Sequence, residues 1–131
     1  MATLTWRMDE SEDVTSTAQL QALLAALRQE ADAGGRPFTV DLTLDNGDSL
    51  SAGLGLPASV MNCVGASGNP PYYVSEGDGT AWDAEVIEFD YGGEMTEYPG
   101  AAAVPTNVAV DGLLSFFESG ERPGSIRWRE V

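Results

Sequence analysis

At 131 residues and 43% hydrophobic side chains, the chain has the length and apolar content of one globular domain, enough to bury most of the apolar surface of a single core. Its 21 acidic and 6 basic side chains give a formal net charge of -15, which favours solubility and repels nucleic acid and anionic lipid. There is no histidine, the commonest general base and metal ligand, and the lone Cys63 forbids an internal disulfide.

The elements follow from periodicity and punctuation. Thr3 to Met8 alternates, with Leu4, Trp6 and Met8 on one side and Thr3, Thr5 and Arg7 on the other, the pattern of a half-buried strand. Asp9 to Ser16 (DESEDVTS) reads as a charged loop. Ser16 and Gln19 have the spacing of a capping box. Leu20, Leu23, Leu24, Leu27 and Ala31 then form one stripe of a helix, stopped by Gly34-Gly35 and kept from resuming by Pro37.

Phe38, Val40, Leu42 and Leu44 alternate with polar residues, as do Leu50, Ala52, Leu54 and Leu56, and Asp45-Asn46-Gly47-Asp48 lies between the two runs. This predicts a hairpin with one apolar and one polar face. A two-residue Asn46-Gly47 turn would set Leu44 against Ser49 and mix the faces, so a three-residue loop or a bulge is expected, with Leu44 meeting Leu50. Ser59 to Val64, Tyr72 to Val74, Ala84 to Tyr91 and Met95 to Tyr98 read as further strands, with a turn-rich connection at 77–83 and a turn at Gly92-Gly93. A second helix is predicted from Pro105 or Thr106, with Ala109, Leu113, Phe116 and Phe117 as its stripe and Gly120 as its C-cap. Gly112 inside it costs about 1 kcal/mol of propensity relative to Ala, which predicts a close approach to the sheet. A closing strand carries Ile126 and Trp128 on one side and Arg127 and Arg129 on the other. The order predicts an α+β domain spanning 1–131: a mostly antiparallel sheet with two helices on one face. Thr39, Asp41, Thr43, Ser49, Ser51, Glu88 and Asp90 are expected on the opposite, polar face.

Little in this sequence supports catalysis. Cys63 has no histidine to activate it and sits in an apolar run, as a small buried hydrophobe would. Asp45-x-x-Asp48 and Glu76-x-Asp78 do not match a calcium-binding loop. There is no phosphate-loop context and no basic patch for nucleic acid. No catalytic residue, metal or cofactor is therefore expected. Met1-Ala-Thr-Leu-Thr-Trp6 lacks the basic start and apolar run of a signal peptide, and no stretch approaches a membrane span. A cytoplasmic protein with no membrane or nucleic-acid partner is the expectation.

What remains is a binding surface. From Pro37 to Glu121 there are fourteen Asp and Glu and no Lys or Arg. Between Tyr72 and Tyr98, eight carboxylates are interleaved with aromatics. Aromatics anchor interfaces, and carboxylates steer a basic partner and fix its register. The candidate contact residues are Tyr72, Tyr73, Glu76, Asp78, Trp82, Asp83, Glu85, Glu88, Asp90, Glu94 and Glu97. Phe89 and Tyr91 are expected in the core, whereas Trp82, in a Gly- and Asp-rich turn, fits either role.

Three segments carry a resemblance: LGLPASVMNCVGASGNPPYYVSEGD (54–78), EVIEFDYGGEMTEYP (85–99) and VPTNVAVDGLLSFFESGERPGSIRWREV (104–131). An aromatic strand ends in glycine (Phe89, Tyr91, Gly92, Gly93), followed by Glu97 and Pro99. Val104-Pro105 opens a helix that carries Phe116-Phe117, and Gly120, Arg122, Pro123 and Trp128 follow. In this ordered set the chain resembles the Imm-one family, immunity proteins of bacterial polymorphic toxin systems. The resemblance implies a non-enzymatic antitoxin whose partner is a cognate protein toxin with a basic active-site cleft, often a deaminase acting on nucleic acid. The competing classes are an acidic regulatory module for another basic partner and a histidine-free enzyme, which would require a pocket of converging carboxylates.

Overall fold

The computed structural model describes residues 1–7 and 10–131. Its elements are β1 (Ala2–Trp6), β2 (Glu10–Val14), α1 (Thr17–Gly34), β3 (Phe38–Leu44), β4 (Ser49–Leu54), β5 (Ala58–Ser59), β6 (Met61–Val64) and β7 (Tyr72–Glu76). They continue with β8 (Val86–Tyr91), β9 (Glu94–Pro99), a single 3-10 turn at Gly100–Ala102, β10 (Val104–Pro105), α2 (Thr106–Ser119) and β11 (Arg127–Glu130). The central path of the sheet runs β11-β7-β6-β4-β3-β1-β2, antiparallel throughout. The β8–β9 hairpin joins it through one parallel bridge, Phe38 to Asp90, and β10 pairs separately with β5. The fold is α+β, as the order of elements predicts.

Both helices lie on one face. Leu20, Leu24, Leu27 and Ala31 of α1 and Ala109, Leu113 and Phe116 of α2 pack with Leu4, Val40, Leu42, Leu50, Ala52, Leu54 and Met61 of the sheet. Each large apolar side chain buried here contributes about 1.5–3 kcal/mol. α1 starts where Ser16 Oγ accepts from Gln19 N at 3.1 Å and ends at Gly35 in the left-handed conformation. The capping box closes one residue early: Gln19 Oε1 accepts from Thr15 N at 2.8 Å, and Gln19 Nε2 donates to Asp13 O at 2.7 Å. This ties the end of β2 to the helix. Gly120, also left-handed, ends α2. A Cβ on Gly112 would lie 2.9 Å from Ile126 Cδ1 and 3.1 Å from Met61 Cε, so the predicted close approach is present.

Three expectations need correction. The charged loop is in part a strand: Glu10 to Val14 pairs with all of β1 at the sheet edge. Only Val14 is buried, and the other four residues are exposed, so there is no alternation to read. Acidic side chains along an open edge discourage pairing with another chain. Met8 and Asp9, placed by the sequence in the first strand and this loop, lie outside the described residues. The β3–β4 loop is the expected three-residue one, with Leu44 N bonded to Asp48 O at 2.9 Å. This sets Leu42, not Leu44, opposite Leu50, which still keeps the apolar faces matched.

The third correction bears on function. The face away from the helices is not simply polar and solvated, because the β8–β9 hairpin folds across part of it. Ile87 and Phe89 are buried there with Ala58, Val60, Val74, Ala102 and Ala103, forming a second core with Trp82 and Tyr98 packed against it. Thr39 and Ser51 are buried beneath. Gly53 makes this possible: a Cβ at that position would fall inside the Phe89 ring's contact distance.

Candidate protein-binding surface

The hairpin has an inner and an outer face. A two-residue turn at Gly92 (φ 62°) and Gly93 (φ 96°) connects its strands, as the right-handed twist of paired strands favours. The register sets Ile87 opposite Tyr98, Phe89 opposite Thr96 and Tyr91 opposite Glu94 on the inner side. Val86 opposite Pro99, Glu88 opposite Glu97 and Asp90 opposite Met95 form three rows on the outer side.

Polar groups line the boundary between hairpin and sheet. Tyr91 Oη donates to Asp41 Oδ2 at 2.8 Å. Burial pushes the Asp41 carboxyl above the usual aspartate range, against the lowering effect of the Tyr91 hydroxyl. Burial, reinforced by the neighbouring carboxylate, pushes the Tyr91 hydroxyl up strongly. Burial also raises the Tyr98 hydroxyl. These groups hold the hairpin against the sheet.

The eleven candidate residues fall into three groups. Glu85, Glu88, Asp90, Glu94 and Glu97 come together on and around the hairpin. Glu85, Glu88, Glu94 and Glu97 are exposed and, among the described residues, form no ion pair. Asp90 differs: its side chain is only 16% exposed, pairs with Arg36 Nε at 2.9 Å and accepts from Gly93 N, so it secures the turn. Asp78, Trp82 and Asp83 lie on the 77–83 connection, with Trp82 against the hairpin and Asp78 facing Ser125, Ile126 and Arg127. The Thr80 hydroxyl and backbone hold the Asp78 carboxyl below its usual range. Trp82 Nε1 donates to Val86 O at 2.9 Å and its ring packs on the second core, so it serves the fold. Tyr72, Tyr73 and Glu76 stand apart on β7. Tyr72 Oη donates to Gly68 O, Tyr73 lies under the Arg122 guanidinium at 3.8 Å, and Glu76 is opposite Arg127.

The alternation of β8 and β9 also presents Val86 and Met95, which the reading of charges and aromatics passed over, and leaves Tyr91 exposed although that reading placed it in the core. Apart from Met1 and Val131, the large hydrophobic side chains exposed among the described residues are Val86 (41%), Tyr91 (41%) and Met95 (49%), all on this hairpin. Their signal was available: a two-residue Gly92-Gly93 turn forces Met95 onto the face of Glu88 and Asp90. Cys63 is partly buried and burial pushes its thiol up, which suits an unreactive side chain. Among the described residues no three Cys, Asp or Glu are grouped to hold a metal, and no helix is long and apolar enough to cross a membrane.

The family described as immunity protein Imm1 matches residues 8–130. The chain belongs to the Imm1 family. A search of the curated proteins finds no match. As an Imm1 protein the chain is an immunity protein of a toxin system, which binds its cognate toxin and is not an enzyme. Thr106, next to the Val104-Pro105 pair, and the resemblance-carrying residues Arg122, Pro123 and Trp128 build the scaffold. Thr106 Oγ1 donates to Leu56 O at 2.7 Å at the start of α2, Trp128 Nε1 donates to Pro123 O at 3.0 Å, and Arg122 lies between Tyr73 and Trp128. These residues fix the helix face and the β7–β11 edge, while the motif's Phe89, Tyr91, Gly92, Gly93, Glu97 and Pro99 lie on the β8–β9 hairpin and its turn.

Proposed function

We propose that residues 1–131 form one immunity domain that acts in the cytoplasm by covering the active-site cleft of its toxin, a nucleic-acid deaminase. The observation that carries this reading is the acidic surface of the β8–β9 hairpin, where Glu85, Glu88, Glu94 and Glu97 form no ion pair among the described residues, presented by an Imm1 fold. A deaminase has to draw a flexible strand or an extruded base to a zinc-bound water, so its channel is positively charged. A surface bearing Asp83, Glu85, Glu88, Glu94 and Glu97 is complementary to such a channel. Like charge keeps the same surface off the toxin's substrate.

Co-expression with a toxin identified in the neighbouring reading frames tests the reading. Growth should be restored, and the purified toxin's deamination of a single-stranded oligonucleotide should fall to background at one equivalent. The oligonucleotide and the immunity protein should compete for the toxin. A stable ternary complex of toxin, oligonucleotide and immunity protein would refute coverage of the cleft. A toxin with another chemistry would refute the deaminase assignment.

A further inference from the structure

Apart from Arg36 on Asp90, no described element packs on the outer face of the β8–β9 hairpin, and its composition is unusual for a solvated sheet face. Its middle row sets Glu88 directly against Glu97. Like charges in directly opposed positions destabilise a hairpin, and among the described residues no cation lies within ion-pair distance of either. The rows on each side carry exposed apolar groups, Val86 with Pro99 on one and Met95 on the other. Four of the six outward positions therefore serve neither the core nor the stability of the hairpin: Val86, Glu88, Met95 and Glu97. A carboxylate pair bracketed by apolar side chains matches a cationic side chain whose flanks are also apolar. Docking would remove the repulsion and exclude water from around the charge-assisted hydrogen bonds, the setting in which such pairs are strongest.

We infer that this face is the specificity-determining contact with the toxin, and that it receives an Arg or Lys of the toxin between Glu88 and Glu97, with toxin apolar groups on Val86 and Met95. The inference rests on the proposed toxin-binding function and adds to it the place of contact and the chemistry of the partner's anchor.

The probe is the purified cognate toxin domain identified by that co-expression, titrated against the full chain. Glu88→Lys and Met95→Asp should each weaken binding roughly 100-fold or more, the scale of a central anchor. Glu12→Lys, on the acidic edge strand β2, should change it less than about threefold. Glu88→Lys also replaces a repulsive pair by an attractive one, so the free variant should melt at a higher temperature than the parent while binding worse. A general structural defect would lower both. If the parent chain does not bind the toxin, the toxin-binding reading fails and this inference fails with it. If the parent binds and both hairpin variants bind equally well, this inference alone is overturned.

Discussion

Gly53 has no side chain because Phe89 occupies the space, and this contact decides where the β8–β9 hairpin rests. Gly53→Ala should cost about 1–3 kcal/mol by overpacking, and Phe89→Ala about 3–5 kcal/mol by leaving a void. In urea denaturation the Gly53→Ala cost should largely disappear when Phe89 is already Ala, because the two positions compete for one volume. Asp41 is the second decisive residue. Its carboxyl is raised above 3.8 in the folded chain, chiefly by burial. The folded state then holds the proton more tightly than the unfolded one. The stabilisation from this group is complete below the unfolded value and is lost as pH rises through the folded value. Asp41→Asn keeps an oxygen acceptor for the Tyr91 hydroxyl and removes the buried charge. Its melting temperature should exceed the parent's at pH 7, and the advantage should vanish as pH falls to the ordinary aspartate value. An advantage independent of pH would show that the charge is not the cause.

At the scale of elements, the hairpin and the sheet are held differently. β3 pairs along its length with β1 and β4, whereas β8 reaches β3 through a single bridge, with Asp90 N bonded to Pro37 O at 2.9 Å. The hairpin depends on side chains for the rest: Phe89 over Gly53, Tyr91 on Asp41, and Asp90 on Arg36. Elements with few backbone ties open locally at lower free energy than the centre of a sheet. Native-state hydrogen exchange should therefore show β9 amides exchanging well before those of β3 and β4, and Phe89→Ala should widen the gap. Equal protection would mean that hairpin and sheet open as one unit. This arrangement suits an antitoxin family, because the outer face of a hairpin held from beneath can change sequence without disturbing the helix face. The helices themselves were legible residue by residue: the stripes of α1 and α2, both glycine C-caps and the Ser16 cap all follow from spacing. β2 was not, since four exposed polar residues in five give no periodicity to detect.

For the whole molecule, a net charge of -15 sets behaviour that no single contact controls. Self-repulsion destabilises the compact state and salt screens it over about 10 Å at 0.1 M. Raising sodium chloride from 0.05 to 0.5 M should therefore raise the melting temperature of the free chain and at the same time slow its association with the toxin. Stopped-flow rates and thermal melts in the same buffers check both signs. If the association rate is insensitive to salt, the acidic surface does not steer the encounter. The sequence by itself determined the α+β class, both helices and the β3–β4 hairpin, because local periodicity and caps are properties of neighbouring residues, and its ordered motif carried the resemblance to the family that the match over residues 8–130 shows. It also marked the acidic stretch from Glu76 to Glu97. Only the tertiary structure decided that Trp82 and Asp90 serve the fold, that Tyr73 stacks under Arg122, and that Val86 and Met95 flank an opposed pair of glutamates. The hairpin assignments depend on which of its faces is buried, and that is set by a glycine more than thirty residues away in sequence whose missing side chain admits an aromatic ring; the Tyr73–Arg122 stack depends on the pairing of β7 with β11.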